Sequence, residues 1–183
     1  MTDKSWLSLD VARLFGELDR LKFVVDGMLG RLARWLRMMG HDVEYSNSMD
    51  DVELLMLAKN ENRVLLTRDF QLYQHATAKG TDAFYVEGQK EEERLAEVAG
   101  RYGVKLEIDM TFSRCPKCNT RVKQISKEDV EGKVEESTFR YYAEFWQCPK
   151  CSQIYWQGAH WTKIRKMLDA AENNLKSVKE KGA

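Results

Sequence analysis

The stretch Lys22–Met39, KFVVDGMLGRLARWLRMM, decides how the rest of the chain is interpreted. It begins with a short apolar run that stops at Asp26 and a glycine, as a buried strand does. Apolar residues then recur with the period of a helix that is buried on one face; they are Leu29, Leu32, Ala33 and Leu36. A buried strand followed by such a helix is the first half of a βαβ unit, which binds ligands beyond its strand ends. Asp26 therefore occupies a position at which ligands commonly bind.

The alternation of strand and helix continues as far as residue 102. Strands are predicted at Phe23–Asp26, Asp42–Ser46, Arg63–Thr67 and Ala83–Glu87, and helices at Met28–Met39, Val52–Asn60, Phe70–Lys79 and Glu91–Tyr102. Gly40, Gly80 and Gly103 each follow a helix, where a left-handed C-cap is expected. The pattern predicts an α/β fold, a three-layer α/β/α domain whose central parallel sheet has the order 2-1-3-4.

The composition is that of a folded soluble protein, with 43% hydrophobic and 32% charged residues among 183. No apolar run is long enough to cross a bilayer, and the N-terminus does not have the pattern of a secretory signal. A cytoplasmic location is therefore expected. We divide the chain into an N-terminal helical extension (1–21), an α/β domain (22–110), a small β module (111–161) and a C-terminal helix and tail (162–183).

Three aspartates, Asp26, Asp51 and Asp69, lie at or just beyond the ends of predicted strands. With the predicted sheet order, they meet at one edge of the sheet. Carboxylates are suitable ligands for Mg²⁺ or Mn²⁺, and such a metal activates water and offsets charge on a phosphate. This chemistry is that of phosphodiester hydrolysis.

Helix capping is the alternative explanation for these aspartates, because each of them precedes or opens a helix. Asp50 could equally supply the second carboxylate or the cap of the same helix. Serine, threonine and asparagine cap as well as aspartate does, yet all three junctions carry a carboxylate. Clustered anions repel one another unless a cation lies among them, so we expect a divalent metal site.

Basic residues accompany the predicted edge. Arg31 and Arg34 lie in the first two turns of the first helix, and Arg68 directly precedes Asp69. Their guanidinium groups are candidates for binding a phosphate backbone through paired hydrogen bonds. Arg37 is assigned to a solvated helix face.

Four cysteines occur as two C-x₂-C pairs, Cys115-Pro-Lys-Cys118 and Cys148-Pro-Lys-Cys151, separated by the 29 residues 119–147. In a cytoplasmic protein this pattern indicates metal binding rather than disulfides. Four thiolates form the tetrahedral set of structural Zn²⁺, whose binding energy would fold a module too small to hold a core. Redox dithiols are the alternative, but neither pair has the βαβ context that they require.

Basic and aromatic residues surround the cysteine pairs, a combination that binds phosphates and bases of single-stranded nucleic acid. The candidate RNA contacts are Arg114, Lys117, Arg121, Lys150, His160 and Trp161. Trp146 and Tyr155 are assigned to the core of the module. Residues 111–168 carry 11 basic and 6 acidic residues, whereas 22–110 carry 12 and 16. This asymmetry suits a polyanion that is held by one part and processed by the other.

In order along the chain, VVDGMLGRLARWLRMMGHD, DD-x-ELL-x-x-A, RVLLTRD and F-S-R-C-P-x-C…FWxCPxCxxxYWxGxHW resemble the Mut-seven C-terminal ribonuclease family. That family is the branch of PIN-domain proteins that carries a C-terminal zinc ribbon, and the resemblance covers about Lys22 to Leu168. It implies a PIN-like fold and an endoribonuclease that depends on Mg²⁺ or Mn²⁺. By position, the acidic residues are Asp26, Asp51 and Asp69, and the four cysteines bind zinc. PIN nucleases commonly have a fourth acid, for which Asp82 and Glu87 are the choices.

Three functions are compatible with these features. The first is hydrolysis of RNA phosphodiester bonds, with the zinc ribbon assisting RNA binding. The alternative is a non-catalytic adaptor that binds RNA or the ribosome through the ribbon and has a degenerate PIN-like site. The third is a toxin-like nuclease silenced by a protein partner. The expected partner is RNA in each case, with rRNA, tRNA and the ribosome as candidates.

Overall fold

A computed structural model describes residues 21–181 of the chain, with side chains up to residue 177. The N-terminal helix predicted over residues 1–21 lies outside the described residues except for Leu21. None of the described helices is both long enough and apolar enough to cross a membrane.

Four parallel strands form the central sheet: β1 (Lys22–Val25), β2 (Asp42–Tyr45), β3 (Val64–Thr67) and β4 (Ala83–Tyr85). Their order is β2-β1-β3-β4, which confirms the order predicted from the sequence. The two middle strands are almost entirely apolar because helices cover both faces of the sheet. The carboxyl ends of β1 and β3 are therefore neighbours.

Helices connect the strands: α1 (Gly30–Met38), α2 (Asp51–Asn60), α3 (Phe70–Ala78) and α4 (Glu91–Tyr102). One 3₁₀ turn, Gly27–Leu29, precedes α1, so the α-helix begins two residues later than predicted. Gly40, Gly80 and Gly103 have φ of 92°, 70° and 69°, as predicted for residues just past helix ends.

Two apolar cores lie on opposite faces of the sheet. Side chains alternate between faces along a strand, so Val25 and Leu66 pack with α1 and α4, whereas Val24 and Leu65 pack with α2 and α3. This arrangement is the three-layer α/β/α architecture expected from the sequence.

A second, antiparallel sheet contains β5 (Lys123–Ile125), β6 (Phe145–Gln147) and β7 (Ile154–Tyr155). A 3₁₀ turn, Glu128–Val130, and α5 (Glu136–Tyr141) lie between β5 and β6. Within the small β module predicted over 111–161, residues 138–147 have a sequence typical of a strand but form one only at Phe145–Gln147. Glu136 and Arg140 form an ion pair one turn apart, which favours helix over the β propensity of the single residues.

The last helix, α6 (His160–Lys181), returns from this module to the α/β domain, in agreement with the C-terminal helix predicted within residues 162–183. Leu168 and Ala171 join the core beneath α1 and α4. A Cβ on Gly100 of α4 would lie 3.1 Å from Leu175, so the two helices pack closely. Met167 of α6 and Arg94 of α4 line the same cleft.

Arg37 joins α1 to the cysteine module, so its assignment to a solvated helix face was wrong. Its side chain is only 5% exposed. Nε and Nη2 donate to the carbonyl of Val43 at 3.0 and 2.8 Å, and Nη1 donates to the carbonyl of Pro116 at 3.0 Å. The helix period could not reveal this burial, because the module that covers this end of α1 comes much later in the chain.

Asn119 completes the same junction at the exposed edge of β2. It has a left-handed φ of 65° directly after Cys118. Its Oδ1 accepts from the N–H of Val43 at 3.1 Å, and its Nδ2 donates to Oδ1 of Asp42 at 2.8 Å. Burial acts to raise the pKa of Asp42, but hydrogen bonds from Arg63 and Asn119 outweigh it and hold that pKa below its usual range. The module thereby covers a strand edge that would otherwise present free backbone groups.

Candidate active site and cysteine cluster

Asp26 and Asp69 lie at the carboxyl edge of the sheet and are connected through Thr67, the last residue of β3. The hydroxyl of Thr67 donates to Oδ2 of Asp26 at 2.7 Å and accepts from the N–H of Asp69 at 2.9 Å. The Thr67 side chain is fully buried. The structure thus brings together two predicted site residues and a third that the sequence reasoning missed. The available signal was a hydroxyl at the end of an otherwise apolar strand, VLLT.

Asp69 also caps α3, as the capping alternative predicted. Its Oδ1 accepts from the N–H groups of Gln71 and Leu72 at 2.8 and 3.1 Å. Its Oδ2 takes no hydrogen bond from any residue that the structure describes. Asp26 similarly accepts from the N–H of Met28 through Oδ1 at 3.3 Å. Capping and ligand binding are therefore compatible on different oxygens of Asp69.

Asp50, and not Asp51, caps α2. Oδ1 of Asp50 accepts from the N–H of Glu53 at 2.8 Å, and Oε2 of Glu53 accepts from the N–H of Asp50 at 3.1 Å. This reciprocal pair is a capping box. Asp51 is the exposed first residue of the helix, so capping does not account for its carboxylate.

The three aspartates do not converge as tightly as the cysteines do. Within residues 21–177, the four cysteines are the group of three or more side chains that could hold a metal ion, and the aspartates do not form such a group. Hard carboxylate oxygens fit Mg²⁺, which usually takes one or two carboxylates and keeps several waters. The donor set at this edge therefore fits a hydrated cation better than a fully dehydrated one.

A cleft of about 660 Å³ lies between α1, the start of α4 and α6, and the three aspartates are not among its lining residues. Arg31 and Arg34 of α1 are exposed and line it, together with Met28, which lies two residues after Asp26. Gln89 is another lining residue, and its Oε1 accepts from Nη2 of Arg68 at 3.2 Å. Lys90, Glu91, Glu92 and Arg94 complete one wall, so the lining carries both signs of charge.

The four cysteine sulfurs all lie within 4.8 Å of one another and could hold a metal ion such as zinc. All four are free cysteines. The two C-x₂-C turns share one backbone conformation, with Asn119 and Ser152 at φ of 65° and 58°. The N–H of each donates at 2.9 Å to the carbonyl of the first cysteine of its pair. The same turn thus occurs twice, and the sulfurs of the two turns lie around a common centre.

The surroundings of the sulfurs change their acidity. Burial raises the pKa of Cys148 to about 12. Burial acts in the same direction on Cys118, but hydrogen bonds with Thr120 outweigh it and lower that pKa to about 6. Burial also raises the pKa of Tyr155, so this phenol keeps its proton and can donate to the Cys115 sulfur at 3.0 Å.

The residues predicted to bind RNA in the module differ in exposure. Lys117 and Lys150 are exposed within the two C-x₂-C turns, and His160 is exposed at the start of α6, with Trp161 half-buried beside it. Arg121 is half-buried. Arg114 lies in the junction with α1, where Nη1 donates to the carbonyl of Asn119 at 2.9 Å. Trp146 and Tyr155 pack against the cysteines, as predicted.

A comparison with known protein families covers both the carboxyl edge of the sheet and the cysteine cluster. A model of the Mut7-C RNAse domain matches residues 21–168. The chain belongs to the Mut7-C RNAse domain family. The match includes β1 to β7 and the first turns of α6, and so includes the aspartates, Thr67 and all four cysteines. Membership of this family confirms the resemblance found in the sequence and indicates a ribonuclease-type function with RNA as the substrate. Neither the curated proteins nor the solved structures gave a match to the chain.

Proposed function

We propose that this protein is a PIN-type endoribonuclease that hydrolyses RNA phosphodiester bonds with the help of Mg²⁺ or Mn²⁺. The main support for this proposal is that buried Thr67 connects Asp26 to Asp69 by hydrogen bonds, in a chain that belongs to an RNase family. These groups lie at the carboxyl edge of a parallel sheet, where α/β domains bind their ligands. Asp51, whose carboxylate is exposed and is not the cap of α2, is the third acid.

The roles of the side chains follow from their positions. Asp26, Asp51 and Asp69 would hold the cation, and Thr67 orients Asp26 by donating to its Oδ2. The cation, when bound, supplies a water of lowered pKa and offsets charge on the phosphate. Arg31 and Arg34 bind phosphates along the cleft, because their exposed guanidinium groups can each make paired hydrogen bonds.

Arg68 has a different role, because its guanidinium group is held by Gln89 on the β4–α4 loop. Its position directly before Asp69 suits it to offset charge that develops on the phosphate.

The cysteine module is proposed to hold structural Zn²⁺ and to extend the RNA contact. With all four positions occupied by sulfur, no position is left for a reacting water, so the zinc would have no catalytic role. The module is attached at the C-terminal end of α1, whereas the carboxylates lie at the opposite end, about 14 Å away at the rise of an α-helix. The proposed RNA contacts on this side are Arg114, Lys117, Arg121, Lys150, His160 and Trp161.

Asparagine variants test the proposed carboxylates, because asparagine caps helices about as well as aspartate but lacks the charge. In Asp69→Asn, we expect Mn²⁺-dependent cleavage of RNA to fall about 100-fold or more, while RNA affinity stays within a few-fold of wild type. The same result is expected for Asp26→Asn and Asp51→Asn. Asp50→Asn is the matched control, since Asp50 only caps α2 and cleavage should continue. Undiminished cleavage by Asp69→Asn would reject the assignment.

A non-catalytic adaptor that binds RNA or the ribosome is the second candidate. One observation favours it: among the described residues the four cysteines form a group that could hold a metal ion, and the three aspartates do not. An adaptor would bind RNA with strong salt dependence and show no metal-dependent turnover on any RNA. Titration of Mn²⁺ against a pool of cellular RNA distinguishes the two, since turnover is expected only of the nuclease.

A further inference from the structure

Three aromatic side chains, Phe70, Tyr73 and Tyr85, form a partly exposed group that we call the aromatic cluster. The ring centroids of Phe70 and Tyr85 are 5.5 Å apart at an interplanar angle of 81°. Tyr73 lies 6.1 Å from each of the other two rings. Phe70 is 53% exposed, whereas both tyrosines are half-buried. The tyrosines thus fix the orientation of Phe70 and leave part of its ring open.

The aromatic cluster lies directly beside the proposed carboxylates. Phe70 is the first residue of α3 and follows Asp69, and Tyr85 is the last residue of β4. Asp69 is held by two N–H groups of the first turn of α3. Because one short helix turn carries both the carboxylate and the ring, their separation is fixed by the backbone.

Exposed apolar side chains recur at this edge. Met28 follows Asp26 by two residues and is 66% exposed, and Val52 follows Asp51 and is 62% exposed. Each proposed acid is therefore followed within two residues by an apolar side chain that is exposed and not buried in the core. An RNA strand presents two chemistries to such an edge, anionic phosphates and apolar base faces. The carboxylates repel the phosphates unless a cation lies between them. The exposed ring of Phe70 can stack on the face of a base.

We propose that the aromatic cluster stacks an unpaired base of the RNA strand, next to the phosphate that is cleaved. This inference rests on the proposed ribonuclease function and adds to it a contact for the base beside the cleaved phosphate. Bases within a duplex are already stacked on their neighbours, so only an unpaired nucleotide can place its base on Phe70. Every base has a π face, so this contact tolerates different sequences.

The test uses the full-length Asp26→Asn protein, which should bind RNA without cleaving it, and a single-stranded oligoribonucleotide that contains 2-aminopurine. Stacking on Phe70 should quench the fluorescence of the 2-aminopurine. In Phe70→Leu, which keeps an apolar side chain and removes the ring, the affinity should fall about 5- to 100-fold and the quenching should be lost. Phe70→Trp should keep both, because it restores an aromatic face. Duplex RNA of the same sequence should bind equally to all three.

Tyr141→Leu is the matched control. Tyr141 is 82% exposed and lies in α5 of the cysteine module, away from the aromatic cluster, so its replacement should leave the affinity and the quenching unchanged. Urea unfolding of each variant shows whether a loss of binding comes from a loss of structure.

The outcomes separate this inference from the proposed function. If Phe70→Leu binds and quenches like the unsubstituted protein, the stacking contact is rejected even if Asp69→Asn abolishes cleavage. If Phe70→Leu loses quenching while Asp69→Asn still cleaves, the stacking contact stands and the carboxylate assignment fails. If Phe70→Leu dissociates an oligomer in gel filtration without changing RNA affinity, the aromatic cluster is a protein interface and the inference is overturned.

Discussion

Among single residues, Thr67 shows how one hydroxyl can organise the edge of a sheet. It is buried, and its single hydroxyl donates to the carboxylate of Asp26 and accepts from the backbone of Asp69. A hydrogen bond to a charged group in such a position contributes about 1.5–3 kcal/mol. Thr67 therefore restricts the direction of the Asp26 carboxylate although it is not itself one of the proposed metal ligands. It is a positioning residue.

Replacing Thr67 with valine keeps its shape and removes the hydroxyl. We expect Thr67→Val to lower kcat for RNA cleavage about 10- to 100-fold with little change in KM, because RNA affinity is expected to change only a few-fold even when Asp26 is replaced by asparagine. The Mn²⁺ concentration that gives half-maximal activity should also rise. Thr67→Ser retains the hydroxyl and should restore both values, which a merely structural role of the side chain would not require. An unchanged Mn²⁺ dependence in Thr67→Val would contradict the positioning role.

At the scale of elements, α1 connects the two parts of the molecule. Its N-terminal end follows the Asp26 turn, and its exposed Arg31 and Arg34 line the cleft. Its C-terminal end is held to the cysteine module by Arg37, which donates to Val43 and Pro116. The hydroxyl of Ser113 adds a further bond to the carbonyl of Met38 at 2.6 Å. Consequently α1 is in contact with the Asp26 turn at its N-terminal end and with the cysteine module at its C-terminal end.

We expect Arg37→Met to lower the free energy of unfolding by about 2–4 kcal/mol, because it leaves one buried and one partly buried carbonyl group without their donor. Burial lowers the pKa of Arg37. A guanidinium group in a protein nevertheless stays charged at neutral pH. The same loss of stability is therefore expected from pH 6 to 8. Urea unfolding measures the change. Arg34→Met is the control on the same helix, and since Arg34 is exposed its effect should stay within about 0.5 kcal/mol. Equal stabilities of the two variants would show that the junction contributes nothing.

For the whole molecule, the chain order places the cysteine module between α4 and α6, two helices that pack side by side. The module is thus anchored three times: through the end of α4, through α6, and through the contacts of Arg37 and Asn119 with β2. Loss of its fold would remove the cover from the edge of β2. Metal binding by the cysteines and stability of the α/β domain are therefore expected to be linked.

Removal of the metal tests this link. The purified protein is expected to contain one equivalent of zinc per chain, measured by elemental analysis. A strong chelator under reducing conditions should lower Tm by about 5 °C or more, since 1 kcal/mol corresponds to about 2–4 °C for a protein of this size. Cys148→Ser should reproduce the shift without chelator. A metal-free protein with the same Tm, or a protein purified without zinc, would refute the structural metal site.

Much of the fold could be predicted from the sequence because its determinants are local. The buried strands, the helix periods and the glycines after the helices are read from neighbouring residues, and the right-handed crossover rule then limits the strand order. The cysteine spacing similarly identifies the cluster, because each C-x₂-C turn positions its two sulfurs without help from distant residues.

Only the tertiary structure decided which side chains share a contact across elements. The sequence left open whether Asp50 supplies the second carboxylate or the cap of α2, and the capping box with Glu53, a contact within one helix turn, shows that it is the cap. The hydroxyl at the end of the strand VLLT was a signal in the sequence, but only the structure shows that Thr67 donates to Asp26 and accepts from Asp69. The sequence placed Arg37 on a solvated face because helix period describes one helix alone, whereas burial depends on what else packs there. The sequence by itself thus determined the elements and their order, and the packing of elements far apart in the chain determined the site.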